Sequence, residues 1–223
     1  MRKAIAFMLL ATSLQACTLL PESSREPARQ TVRPSSGSTA TASPQTRQCF
    51  AQLNQARAQF TPVPDKYYGA GCSTVNSVRL SALGSDGAPL GVSNLGPVAC
   101  PLANTFAAWA RFGVDRAARQ ILGSPLVRIE TMGSYACRNI GNSSRRSAHA
   151  SAEAIDVSAF ILADGRRISL SENWSGGSAD ERRFLRIIQE SACKRFGTVL
   201  GPRYNAAHHD HFHLEHGGGG FCR

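Results

Sequence analysis

Five of the six histidines, His208, His209, His211, His213 and His216, fall within one nine-residue stretch, and the sixth is His149. Residues 208–215 read HHDHFHLE. On a strand successive side chains alternate faces, so His211 and His213 would share one face while Phe212 and Leu214 take the other. The apolar pair would plug into a core and hold the two imidazoles rigidly on the open side, which a solvated histidine tract does not need. His209 and His216 read as surface residues. The second segment, Ser147-Ala-His149-Ala-Ser-Ala-Glu-Ala-Ile-Asp156, sets an imidazole and a carboxylate six residues apart. Two imidazoles and one carboxylate with a fourth position open suit catalytic Zn²⁺, which polarises a carbonyl and lowers the pKa of bound water toward ~7.

Such a site needs rigid elements beneath it. Residues 50–60 read as a short helix. Pro101 suits the first turn of a longer one, with Leu102, Phe106, Ala110, Val114, Ala117 and Ile121 as its apolar stripe. Val127, Ile129 and Thr131 alternate as a strand. Residues 154–162 and 167–170 flank Asp164-Gly165 as a hairpin. Ser178 to Glu181 forms a capping box opening a helix with Leu185, Ile188 and Ala192 on its buried side, and Gly197 stops it. Thr198–Leu200 and His211–Glu215 read as short strands. Strands and helices mix without regular βαβ alternation, which predicts an α+β fold: a small antiparallel sheet flanked by helices.

The chain's ends and composition bear on where this chemistry would act. Arg2 and Lys3 precede an apolar stretch from Ala4 to Leu14, the proportions of a signal peptide over residues 1–16. Leu14-Gln15-Ala16-Cys17 looks like a bacterial lipobox, so Cys17 is expected to carry a lipid anchor facing the periplasm. Thr18 favours outer-membrane sorting, since Asp there would resemble an inner-membrane retention signal. Residues 17–48 are rich in Pro, Ser, Thr and Arg and read as a disordered tether, leaving 49–223 as the globular domain. Loss of residues 1–16 removes Arg2 and Lys3 and no acid, so the formal charge falls from +10 to +8. A basic exported chain suits anionic envelope polymers; no recognition helix or aromatic-basic repeat points to nucleic acid.

Beyond Cys17 there are six cysteines, which in an exported chain read as three disulfides. Closeness along the chain predicts Cys49–Cys72, Cys100–Cys137 and Cys193–Cys222. No two have the CxxC spacing of a metal-thiolate site.

The pattern SxHxxxxAxD followed by HxH resembles the LAS group of zinc peptidases, which includes D-alanyl-D-alanine peptidases, lysostaphin-type endopeptidases and the hedgehog amino-terminal domain. HHDHFHLE is similar to the tail of the penicillin-insensitive murein endopeptidase. Over most of residues 49–223 the chain looks closer still to the bacterial extensin-like C-terminal domain family, through its cysteine frame, GSYACR, the H-x6-D segment, FGTVLGP and DHFH. The resemblance implies a hedgehog/D-alanyl peptidase-like fold and one Zn²⁺ held by His149, Asp156 and His213. His211 would take or return a proton beside the metal, His208 would orient the attacking water, and Arg138 would hold substrate or a developing oxyanion. Ser147 would position the motif loop, and Asp210 would support an imidazole. The related peptidases usually carry Gly where this chain has Ala152; a positive φ there would cost Ala about 1 kcal/mol.

These features lead to a zinc-dependent peptidoglycan peptidase, either a D,D-endopeptidase or a D,D-carboxypeptidase. The alternative is a non-catalytic wall-binding or partner-binding module that keeps the metal for structure, and a third reading is a metal-buffering protein using the 208–216 cluster.

Overall fold

The computed structural model describes residues 42–217 and 220–223, so the expected signal peptide, Cys17 and most of the tether lie outside the described residues. Helix α1 (Pro44–Gln55) opens earlier than the expected 50–60, inside the stretch assigned to the tether. Its start has a clear local cause. The Ser43 hydroxyl accepts from the Thr46 amide at 3.1 Å, and Pro44 occupies the first turn, where no N–H is required.

Residues 59–99 form six short strands that the sequence patterning does not announce: β1 (Gln59–Val63), β2 (Lys66–Gly69), β3 (Cys72–Thr74), β4 (Ser77–Leu83), β5 (Leu90–Ser93) and β6 (Pro97–Ala99). Helix α2 (Cys100–Trp109) starts at Pro101 as expected. It continues in wider π turns through Ala110–Asp115 and Ala118–Leu122 to Gly123, left-handed at φ 69°. The apolar stripe from Leu102 to Ala117 is buried. Asp115, also fully buried, accepts from the Leu126 amide at 3.0 Å and from Arg119 Nε at 3.1 Å. This carboxylate fastens the helix to the start of β7 (Leu126–Gly133).

The hairpin of β8 (Ala154–Leu162) and β9 (Arg167–Ser169) turns through Gly165 at φ 89°. A short α3 (Leu170–Asn173) leads to α4 (Ala179–Cys193), opened by the full reciprocal capping box of Ser178 and Glu181. Phe184, Leu185, Ile188 and Ala192 of α4 enter the core, where the Trp109 indole N–H donates to the Ile188 carbonyl at 3.0 Å. Three strands close the chain: β10 (Thr198–Leu200), β11 (Phe212–Glu215) and β12 (Phe221–Cys222). No described helix is long and apolar enough to cross a membrane.

The fold is α+β, but the sheet is larger than expected and mixed. Its main path runs β1-β4-β5-β7-β8-β11-β10-β12, with β6 on β4 and β9 on β8. The pairs β5–β7 and β10–β12 are parallel. The first follows from the α2 crossover, which returns the chain to the sheet running in the same direction, something a tight hairpin cannot do.

Two expected disulfides are corrected. The bonds are Cys49–Cys100, Cys72–Cys137 and, as expected, Cys193–Cys222. Nearness in sequence misleads because α1 packs along α2, bringing Cys49 within 6.2 Å of Cys100 between Cα atoms. Cys72 on β3 instead meets the segment after β7, with a Cα separation from Cys137 of 5.5 Å.

Candidate metal centre

Strand β11 enters the sheet between β8 and β10, and its alternation decides what it presents. Phe212 and Leu214 point into the core and are fully buried. His213 takes the other face. The antiparallel register sets His213 directly opposite Asp156 of β8, whose own flanking Ile155 and Val157 are core residues. On its far side Asp156 pairs with Gly133 of β7, which has no side chain to compete for that face.

His149 arrives by a different route. Ser147 caps a single 3₁₀ turn, Ala148–Ser151, its hydroxyl accepting from the His149 amide at 3.4 Å. The turn ends at Ala152, buried and left-handed at φ 58°. This is the positive φ that a Gly supplies without strain, so Ala stores about 1 kcal/mol there. The Ala152 carbonyl accepts from the Ala99 amide at 2.8 Å and the Ser134 hydroxyl at 3.4 Å, which keeps the loop in this shape.

Three donor atoms converge. His149 Nε2 lies 3.2 Å from His213 Nδ1 and 3.1 Å from Asp156 Oδ2, and His213 Nδ1 lies 2.8 Å from Asp156 Oδ1. Among the described residues these three side chains form the group able to hold one cation. Bonds of ~2.0–2.1 Å to a tetrahedral ion separate its ligands by roughly 3.3 Å, close to the spacing here. The outer nitrogens are also set for the task. His149 Nδ1 donates to the Ser134 carbonyl, leaving Nε2 as a lone pair. His213 Nε2 donates to Glu215 Oε1 at 2.9 Å, aiming Nδ1 inward. A carboxylate or carbonyl behind each imidazole fixes its orientation and tautomer, as in metal sites generally. The donor set therefore fits zinc.

The electrostatics follow from this crowding. Burial pushes the His213 imidazole down, but the Asp156 and Glu215 carboxylates more than reverse it and raise its pKa to about 9. Burial would likewise raise the Asp156 carboxyl, yet hydrogen bonds and charge from His149 and His213 hold it well below the usual carboxylate range. Without a cation, then, a proton on His213 Nδ1 sits at the centre of the group.

Two more histidines face the same place. His211 lies just before β11, with Nδ1 donating to Asp210 at 2.8 Å and Nε2 at 3.7 Å from Asp156 Oδ1. Asp210 thus supports His211. The His208 ring packs 5.2 Å from His211 and 5.8 Å from His213. Its Nδ1 donates to Asn205 Oδ1 at 2.7 Å, which leaves Nε2 as an acceptor. Burial, then the charges of His211 and His213, lower the His208 pKa to about 4, so the ring is neutral at neutral pH. Arg138 is exposed; its carbonyl accepts from the Ser147 amide at 3.2 Å, and its positive charge also bears on His208. His209 and His216 are exposed.

Glu215, Asn205 and the Ser134 carbonyl were not singled out in the sequence. Glu215 was within reach of the alternation argument: it stands two residues beyond His213 and so on the same face. Asn205 and Ser134 act through chain geometry that no spacing rule reports.

An α+β domain with a His/Asp cluster on one sheet face is thus the class defined by fold and site. Residues 47–223 match the family model described as extensin-like protein C-terminus, and the chain belongs to that family. No curated protein and no solved structure matches it.

Proposed function

We propose that this is a zinc-dependent hydrolase of peptidoglycan peptides, a D,D-endopeptidase or D,D-carboxypeptidase of the LAS kind, anchored in the bacterial envelope through Cys17. The observation that carries the reading is the convergence of His149 Nε2, Asp156 and His213 Nδ1 beside two further imidazoles that hold no part in that triangle. These three would hold the metal. Bound zinc supplies Lewis acidity and a coordinated water whose pKa falls toward ~7.

The remaining roles belong to the chain's own side chains. His211, held at Nδ1 by Asp210, has Nε2 free to take a proton from the attacking water and return it to the leaving amine. His208, neutral and anchored by Asn205, accepts a hydrogen bond at Nε2 and orients that water. Arg138, exposed and with a positive charge that bears on His208, suits a substrate carboxylate or developing oxyanion. A lipobox and tether before the domain would give it reach toward the wall.

The test is digestion of purified sacculi by zinc-loaded and zinc-stripped protein, followed by separation of the muropeptides. New products that need zinc and vanish in His211→Ala, with metal content unchanged, are expected. An unchanged profile from protein shown to carry zinc would exclude the hydrolase and leave the wall-binding or partner-binding module.

A further inference from the structure

Away from the histidines, the second half of α4, the turn at Arg203 and the strand end at Arg223 enclose an open cavity of about 380 Å³, with the Cys193–Cys222 disulfide in its wall. Three arginines line it, Arg186, Arg203 and Arg223, with one acidic side chain, Glu190. Among the described residues none of the three arginines stands within ion-pair distance of a carboxylate, Glu190 included.

Arg186 is the fixed member. Its guanidinium lies over the Trp174 ring, 3.2 Å from the centroid, and Nη2 donates to the Trp174 carbonyl at 3.2 Å. Nη1 is buried with no hydrogen-bond partner. Arg203 approaches the same ring at 5.8 Å. Burial, with the charges of Arg203 and Arg182, lowers the Arg186 pKa. Like charges drawn together are costly unless something of opposite sign joins them. The rim is also built: the Arg223 carbonyl accepts from the Gly201 amide at 2.9 Å and from Gln189 Nε2 at 3.1 Å, so the backbone at that corner is held.

We propose that this arginine-lined cavity binds a phosphate-type oxyanion, a phosphomonoester or free phosphate. Planar guanidinium forks match tetrahedral oxyanions, whose oxygens can be shared among several arginines at once where a carboxylate offers two. The site is independent of the peptidase reading. Trp174 packs against Phe212, whose side chain points away from the face that carries His213, so phosphate and zinc would occupy different sides of β11.

The full chain carrying Cys17→Ser, which removes the acyl anchor, is titrated with inorganic phosphate in zinc-free buffer at constant chloride. Saturable binding of one phosphate per chain is expected, stronger than that of acetate. Arg203→Gln, at an exposed position that does not threaten folding, should weaken it tenfold or more, and Arg183→Gln, exposed on α4 outside the cavity, should leave it unchanged. Vesicles of phosphatidylcholine with and without phosphatidic acid separate the sources of the group. Sedimentation with the phosphatidic acid vesicles that Arg203→Gln abolishes supports a lipid headgroup as the ligand, and phosphate binding without sedimentation supports a soluble one. Equal phosphate affinity in wild type and Arg203→Gln, or no preference over acetate, would overturn the proposal.

Discussion

His213 is pulled in two directions by the residues that hold it. Asp156 and Glu215 together raise it to about 9, while a metal needs its Nδ1 bare. Zinc must therefore displace a proton, and its apparent affinity should rise roughly tenfold per pH unit up to about pH 9. Competition titrations at several pH values with a chromophoric chelator check this; a flat dependence would mean His213 does not ligate. The metal-free protein carries the matching sign in its stability. The folded state keeps the His213 proton up to about 9 where the unfolded chain releases it near 6.5, so that contribution is full below 6.5 and lost as pH rises through about 9. Asp156, depressed, contributes above its ordinary 3.8 and loses its contribution as the medium turns more acid. Half-buried, neutral His208 works the other way, since the unfolded chain takes up its proton below 6.5 while the fold refuses it down to about 4. Melting of the stripped protein should thus peak near pH 6.5, and zinc should add most stability on the alkaline side of that peak. Glu215 acts behind His213, and Glu215→Gln should lower zinc affinity about 10–100-fold while leaving the fold intact, read by the same titration and by circular dichroism.

At the scale of elements, β11 does two jobs with one alternation. Phe212 anchors the strand from the core side against Trp174, at 5.9 Å between ring centroids, and so fixes where His213 emerges. Phe212→Ala should cost about 3–5 kcal/mol by chemical denaturation and weaken zinc binding although it touches no ligand. This alternation was legible in HHDHFHLE, because period-two patterning with apolar residues on one side is strong over even four residues. The capping box of Ser178 and Glu181, the Pro101 start and the Asp164-Gly165 hairpin were legible for the same reason: each is a local rule with a local cause. The strands from Gln59 to Ala99 were not. They are three to seven residues long, interrupted by Pro, Gly and Asn, and their burial does not alternate cleanly. What makes them strands is pairing with distant partners, and no window of sequence contains that. The same holds for the parallel β5–β7 pair, which exists because of where α2 returns the chain.

For the molecule as a whole, the disulfides bind the site's supports together. Cys72–Cys137 joins β3 to the segment that runs from Ser134, whose carbonyl orients His149, to Arg138. The paired change Cys72→Ser with Cys137→Ser opens a loop of 65 residues and should cost about 2–4 kcal/mol, with zinc binding weakened more than by loss of Cys193–Cys222. Equal effects from the two would show that the bond at Cys137 does not organise the site. The candidate ligands Asp156 and His213 lie 57 residues apart and are joined through an eight-strand path in which β8 and β11 are neighbours. The most direct test is metal analysis of the purified chain by mass spectrometry after dialysis against zinc. One zinc per wild-type chain is expected, falling to a small fraction in each of His149→Ala, Asp156→Ala and His213→Ala and staying at one in His211→Ala. A wild type without zinc, or ligand variants that hold as much as the wild type, would contradict the site.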